Sequence, residues 1–153
     1  MSDQAKAIYD KALRLLARRE YSERELRQKL PQKMEGSQEQ IYSELDEIIA
    51  RLQSLGYQSD ERFAFSYARM RQSKGFGAER ISLELGEKGV ATELVAQALA
   101  ALEEKWPDII GEAWQKKFKS PPADYAEKAK QQNFLRYRGF RYADIEQLFA
   151  DIR

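Results

Sequence analysis

The sequence predicts an all-α protein built from tandem three-helix modules, and three observations carry that prediction. Apolar residues recur at spacings of three and four along most of the 153-residue chain, while strand-like alternation is almost absent and only 4 prolines interrupt it. A helix stop, a large apolar residue and a fresh helix start recur at Arg19-Glu-Tyr21-Ser22, Leu55-Gly56-Tyr57-Gln58, Lys74-Gly75-Phe76-Gly77, Lys88-Gly89-Val90-Ala91 and Arg138-Gly139-Phe140-Arg141. Charged residues make up 33% of the chain, above the usual share of about a quarter, which suits short helices with one thin buried stripe.

Taken in order, Ile8, Ala12, Leu15 and Leu16 place a first helix over 4–19. Glu20-Tyr21 breaks it. Ser22 and Glu25 then stand three apart as a capping box, each side chain able to satisfy the other's backbone N–H. The second helix carries Leu26 and Leu30 and is expected to stop at Pro31, with 31–37 a polar loop. Ile41, Leu45, Ile48, Leu52 and Leu55 give the third helix the clearest stripe in the chain. Gly56-Tyr57 ends it, and Ser59 or Asp60 caps a fourth helix with Phe63, Tyr67 and Met70 on one face.

The stretch Arg71–Val90 contains the joint on which the pattern centres. Gly75 can adopt the left-handed conformation that closes a helix, and Phe76 can pack back on the helix just left. Ile81 and Leu85 give a short fifth helix its stripe, and Lys88-Gly89-Val90 repeats the stop. Thr92 is expected to cap a sixth helix, with Val95, Ala98, Leu99 and Leu102 facing inward. Trp106-Pro107 opens a seventh with Ile110, Trp114 and Phe118, and Ser120-Pro-Pro-Ala123 is a stiff break. The eighth helix, over 124–138, is weakly apolar (Ala126, Ala129, Phe134, Tyr137). Gly139-Phe140 ends it, and Ile145, Leu148, Phe149 and Ile152 mark the ninth.

About nine helices in threes divide the chain into modules at 1–57, 58–104 and 105–153. A unit that small buries too little surface to be stable alone, so contacts between neighbours, through Trp106 and Trp114, are expected. The residues assigned to the joints are Tyr21, Ser22, Glu25, Gly56, Tyr57, Gly75, Phe76, Gly89, Gly139 and Phe140. The same grammar also suits ordinary helical hairpins, because helix-end signals are generic.

Little catalytic chemistry is available to this composition. The chain has no Cys and no His, which excludes disulfides, the common zinc sites, cysteine nucleophiles and imidazole acid–base catalysis. Gly75-Phe-Gly77 lacks the third glycine of a dinucleotide loop, since position 80 is Arg and no strand precedes it. Glu103, Glu104 and Asp108 read as a solvated acidic face rather than a cation site. No enzyme, cofactor or metal is expected, and the absence of a long apolar run points to a cytoplasmic protein without a membrane segment.

Charge is more informative than chemistry. Lys plus Arg is 26 against 25 acids, for a net charge of +1, so bulk attraction to nucleic acid is ruled out. Locally the chain is banded: eight cations oppose three acids over 11–33, seven acids oppose one Arg over 35–61, and eight cations oppose two acids over 116–141. Arg136-Tyr-Arg138-Gly-Phe-Arg141-Tyr142 mixes cations with aromatics, as single-strand binders do. Arg136, Arg138 and Arg141, together with Lys128 and Lys130, are candidate contacts. So are Arg71, Lys74, Arg80 and Lys88, the cations of the central stretch to which the packing pattern gives no role.

The chain resembles the RecX family of regulatory proteins, bacterial modulators of the RecA recombinase. The resemblance rests on Leu16-Ala-Arg-Arg-Glu-Tyr-Ser-Glu-Arg-Glu-Leu-Arg-Gln-Lys-Leu30, on Gly56-Tyr57 with Asp60-Glu-Arg-Phe-Ala64, and on Arg71-x-x-Lys-Gly-x-Gly77 with Arg80-Ile-x-x-Glu-Leu-x-x-Lys-Gly-Val90. Phe134-Leu-Arg-x-Arg-Gly-Phe140 and Asp144-Ile145 complete it. Gln58-Ser59 departs from it, standing where that family usually has an apolar residue and Asp or Asn. The resemblance implies an elongated, curved array of helix-turn-helix-like modules that acts as a monomer. It implies a non-enzymatic regulator that binds the RecA filament on DNA and inhibits its ATPase, strand-exchange and co-protease activities in recombination and the SOS response. Weak direct DNA binding by the modules, or a general helical adaptor, are the alternatives.

Overall fold

Nine α-helices and two short 3-10 turns make up the fold, with no strand among the described residues. The computed structural model describes residues 1–152. The helices are α1 (Asp3–Arg18), α2 (Glu23–Lys29), α3 (Gln38–Ser54), α4 (Asp60–Ser73), α5 (Ala78–Glu87), α6 (Thr92–Ala100), α7 (Trp106–Lys117), α8 (Tyr125–Tyr137) and α9 (Tyr142–Asp151). Contacts divide them into two compact units, one of residues 1–66 with 88–90, the other of the remainder.

In the first unit, α1, α2 and α3 enclose a core of Ile8, Tyr21, Leu26, Leu30, Leu45, Ile48 and Leu52, with Ala5, Ala12 and Met34 filling the gaps. Each helix start is stabilised locally. The Ser2 hydroxyl accepts from the Ala5 N–H at the head of α1, and the Ser37 hydroxyl from the Gln40 N–H at the head of α3. The capping box forms as expected, with Glu25 N–H donating to Ser22 Oγ at 3.1 Å and Ser22 N–H to a Glu25 carboxylate oxygen at 3.0 Å.

Three expectations need correction here. α2 ends at Lys29, just short of Pro31 as expected, but 31–37 is not all loop: Leu30–Lys33 tightens into a 3-10 turn, where a proline lacks only the N–H that a first turn leaves unused, and Met34 follows into the core. Leu55 is 59% exposed, and Ile49 takes the buried place beside Leu52. Tyr57 is 50% exposed, so the large residue of that joint does not pack; Gln58 is buried instead. Its amide donates to the Tyr21 carbonyl at 3.1 Å and to Asp60 at 2.9 Å, and Asp60 in turn accepts from the Glu23 N–H at 2.8 Å. Ser59 caps α4, its hydroxyl accepting from the Arg62 N–H.

The second unit buries Ile81 and Leu85 of α5, Val95 and Ala98 of α6, Leu102, Trp106, Ile110 and Trp114 of the α7 region, and Leu135, Phe140, Ile145, Leu148 and Phe149 of the last two helices. Trp106 meets Phe140 edge to face at 6.2 Å, and Trp114 Nε1 donates to the buried Gln131 at 2.8 Å. Both of these contacts lie within residues 105–153. Thr92 is the first residue of α6 rather than its cap; Ala91 occupies that position and offers no side-chain bond. The stripe of α8 is rotated from the expected one. Gln131 and Leu135 are buried, Ala126 faces solvent and Tyr137 is 73% exposed. On α4 Met70 is exposed, and Ala68 and Gln72 are buried, with the Gln72 amide donating to the Leu102 carbonyl at 3.1 Å.

Candidate functional site

Two joints of the second unit meet, and their meeting gathers most of the candidate cations. Gly75 (φ 88°) and Gly139 (φ 93°) close α4 and α8 in the left-handed region, where a side chain is strained. At each, the residue after the glycine returns its N–H to the carbonyl five residues back, Phe76 to Arg71 and Phe140 to Leu135. The joints then pair backbone to backbone. Gly77 N–H donates to the Arg138 carbonyl at 2.9 Å and Glu79 N–H to the Gly139 carbonyl at 3.0 Å. A Cβ on Gly77 would overlap the Gly139–Phe140 peptide, so the second glycine of Gly75-x-Gly77 is there for close approach. No ligand loop is involved.

Around Phe76 three guanidinium groups stand over one ring, Arg71 at 3.8 Å from its centroid, Arg138 at 4.7 Å and Arg80 at 5.4 Å. Arg71 is not left to solvent as the sequence suggested. It forms a two-pronged bond to Glu84 at 2.8 and 2.9 Å, and Tyr67 Oη donates to the same carboxylate at 2.9 Å. Burial alone would raise the Glu84 pKa. The hydrogen bonds from Arg71 and Tyr67 and the nearby charge of Arg80 outweigh it and hold that carboxyl below its ordinary value. Arg80 also lies 4.9 Å from the exposed Tyr137 ring.

Three other candidates are similarly engaged. Arg136 reaches Glu79 at 2.9 Å and the Phe140 carbonyl at 2.7 Å, with its guanidinium 3.8 Å from the Tyr142 ring. Arg141 bonds Glu103 at 2.8 Å and Asp144 at 2.9 Å, and those bonds push its pKa further up. In the first unit, Lys88 lies 3.3 Å from Glu25, which also pairs with Arg19 at 3.2 Å. Burial would raise the Glu25 pKa; Arg19, the Ser22 N–H and Lys88 together bring it below the ordinary value. Apart from Asp144, three residues from Arg141, the acids that claim these candidate cations lie 13 to 63 positions away, which is why spacing did not reveal them. Lys128 stands 5.8 Å from the Phe149 ring, and Lys130 is exposed.

Arg138 differs from the other two arginines of its joint. Its guanidinium is held by the rings of Phe76 and Phe134 (5.3 Å) and by a long 3.5 Å contact to the Lys74 carbonyl, with no carboxylate partner among the described residues. It lines a groove of about 170 Å³, wholly inside the second unit, formed by the last turn of α4 with Gly75, one face of α7, and Phe134. Lys116 and Lys117, which sequence reasoning counted only as part of a charge band, line it with Lys74. The buried glutamines 58, 72 and 131 were also missed, since a glutamine that will be buried looks in sequence like any surface one.

Among the described residues no group of three or more acidic side chains is arranged to hold a metal, and no helix is long and apolar enough to cross a membrane. Short helices, joints closed by glycines and a surface whose cations are often held by acids or rings define an all-helical protein. The comparisons agree in kind. Family models described as the first, second and third three-helix domains of RecX match residues 9–35, 59–99 and 103–149. The regulatory protein RecX of Legionella pneumophila (strain Corby) is 40% identical over 146 residues, covering 95% of this chain and 94% of that one. That of Cronobacter sakazakii is 39% identical over 150 residues, covering 94% and 91%. The crystal structure of RecX from Lactobacillus salivarius superposes with a TM-score of 0.78 at 22% identity, over 99% of this chain and 98% of that one. The chain belongs to the RecX family, and its role is regulatory.

Proposed function

We propose that this protein is a non-enzymatic regulator that binds the RecA filament on DNA and lowers its ATP turnover, strand exchange and co-protease activity in recombination and the SOS response. Membership of the RecX family across nearly the whole chain, at 40% identity to a named regulatory protein, carries this reading. The protein acts in the cytoplasm as a monomer. It divides as 1–57, 58–104 and 105–153, and several weak module contacts made in series gain avidity from one another. Holding adjoining recombinase subunits in one state of the filament slows turnover without any catalytic residue here.

Reading of DNA by the modules as helix-turn-helix units is disfavoured by charge. The third helix of each module would enter the groove, yet α3 carries four acids against one Arg, α6 carries Glu93 and no cation, and α9 carries three acids and no cation. Titration into RecA–single-stranded DNA filaments tests the proposal. ATPase and LexA cleavage should fall as the protein approaches stoichiometry, with binding to filaments stronger than to bare DNA at two salt concentrations. Unchanged rates at stoichiometric excess would defeat it.

A further inference from the structure

The groove beside Arg138 gathers cations from three helix ends onto one set of walls. Arg71, Lys88, Arg136 and Arg141 each face a carboxylate within 3.3 Å. Lys74, Lys116, Lys117 and Arg138 line one cavity and take part in no ion pair among the described residues; Glu112 is the single acid on its wall. Cations gather at helix C-termini without any ligand, because each such end carries about half a negative charge. Three ends lie here, those of α4, α7 and α8. Together with Glu112 they offset about two and a half of the four positive charges, leaving an excess of about one and a half.

Two of the four cations are already placed. Arg138 is held over the rings of Phe76 (4.7 Å) and Phe134 (5.3 Å), and Lys117 stands 5.5 Å from Phe134. A group held in position before binding loses less freedom on binding. The same arrangement closes the aromatic surface. Phe134 has two cations over its ring and a T-shaped contact with Phe118 at 5.4 Å, which crowds it against stacking by a base. At about 170 Å³ the cavity is smaller than the roughly 300–1,000 Å³ that encloses a whole organic ligand, so it suits a compact group.

We infer that this groove binds closely spaced phosphates, the di- or triphosphate chain of a nucleotide, without reading the base. Lys74 from the end of α4 and Lys116 from α7 supply ammonium groups, and Arg138 supplies a planar guanidinium fork that matches phosphate oxygens. The phosphodiester backbone of nucleic acid presents the same oxygens spread along a strand, and several cations converging on one cavity favour the compact chain.

Calorimetric titration of the full chain with inorganic triphosphate, adenosine triphosphate, inorganic monophosphate and oligothymidylate, each without recombinase, separates the sources. Triphosphate and adenosine triphosphate should bind within about threefold of each other and at least tenfold more tightly than monophosphate. The double variant Lys74→Gln/Lys116→Gln should weaken both at least tenfold while its thermal midpoint matches the parent's, and Lys130→Gln, outside the groove, should leave both unchanged. The idea is overturned by absence of saturable triphosphate binding at millimolar concentration, by binding the double variant retains, or by binding of oligothymidylate alone. Because no RecA is present, failure here leaves the regulatory reading standing, and failure of that reading leaves the groove's affinity intact.

Discussion

The joints at Leu55-Gly56-Tyr57 and Arg138-Gly139-Phe140 are written in the same grammar and closed by the same backbone bonds, yet they do different work. In each, the glycine N–H returns to the carbonyl three residues back and the next N–H to the carbonyl five back, Gly56 to Gln53 and Tyr57 to Leu52, Gly139 to Arg136 and Phe140 to Leu135. Beyond that they diverge. A Cβ on Gly56 would meet nothing within 4 Å, and Tyr57 points into solvent. A Cβ on Gly139 would overlap Arg80, Gly77 sits against its peptide, and Phe140 is fully buried against Trp106. At one joint the glycine and its large residue only stop a helix. The other also joins two parts of a core.

The strongest way to break this contrast is Gly77→Ala, which sets a methyl group into the Gly139–Phe140 peptide. Backbone cannot yield as a side-chain tip can, so a loss of about 4 kcal/mol or more is expected by denaturant unfolding. A loss under about 1 kcal/mol would show that the joints do not press together. Next comes Phe140→Ala, which empties a closed site beside Trp106 and should cost about 3–5 kcal/mol. Gly56→Ala meets no neighbour but forces a side chain to φ 80°, for a smaller loss of about 1–2 kcal/mol.

Acid should act at two other joints. Glu25 and Glu84 have pKa values held below the ordinary 4.5, so their ion pairs stabilise the fold above that value and lose this contribution as pH falls through the lowered ones. Thermal midpoints should therefore drop below about pH 4.5, and Glu84→Gln should flatten part of that slope; an unaltered slope would place the acid sensitivity elsewhere. Smallest of all is Tyr57→Ala, expected within about 0.5 kcal/mol of the parent at an exposed site. A loss as large as that of Phe140→Ala would erase the distinction between the joints.

Local signals account for what could be read in advance. Ser22 with Glu25, the glycines after α4 and α8, and the Leu45-Ile48-Leu52 stripe all act within a few residues, so their outcome was visible in spacing. Where a local signal competed with a longer one, it misled. Tyr57 was the obvious packing residue of its joint, but Gln58, able to reach both the Tyr21 carbonyl and Asp60, is the one buried. Arg136-Tyr-Arg138-Gly-Phe-Arg141 looked like a row of equivalent contacts, whereas Glu79, Glu103 and Asp144 claim two of its arginines and leave Arg138 to the groove.

By itself the sequence determined the class of the fold, the places where helices begin and end, and the family, because caps, glycine stops and apolar stripes are settled by hydrogen bonds and contacts over at most one or two turns. Only the tertiary structure decided which cations are neutralised and which are left over. Lys88 and Glu25 are 63 positions apart and Arg141 and Glu103 are 38 apart, and a Coulomb interaction depends on the distance folding creates between two charges.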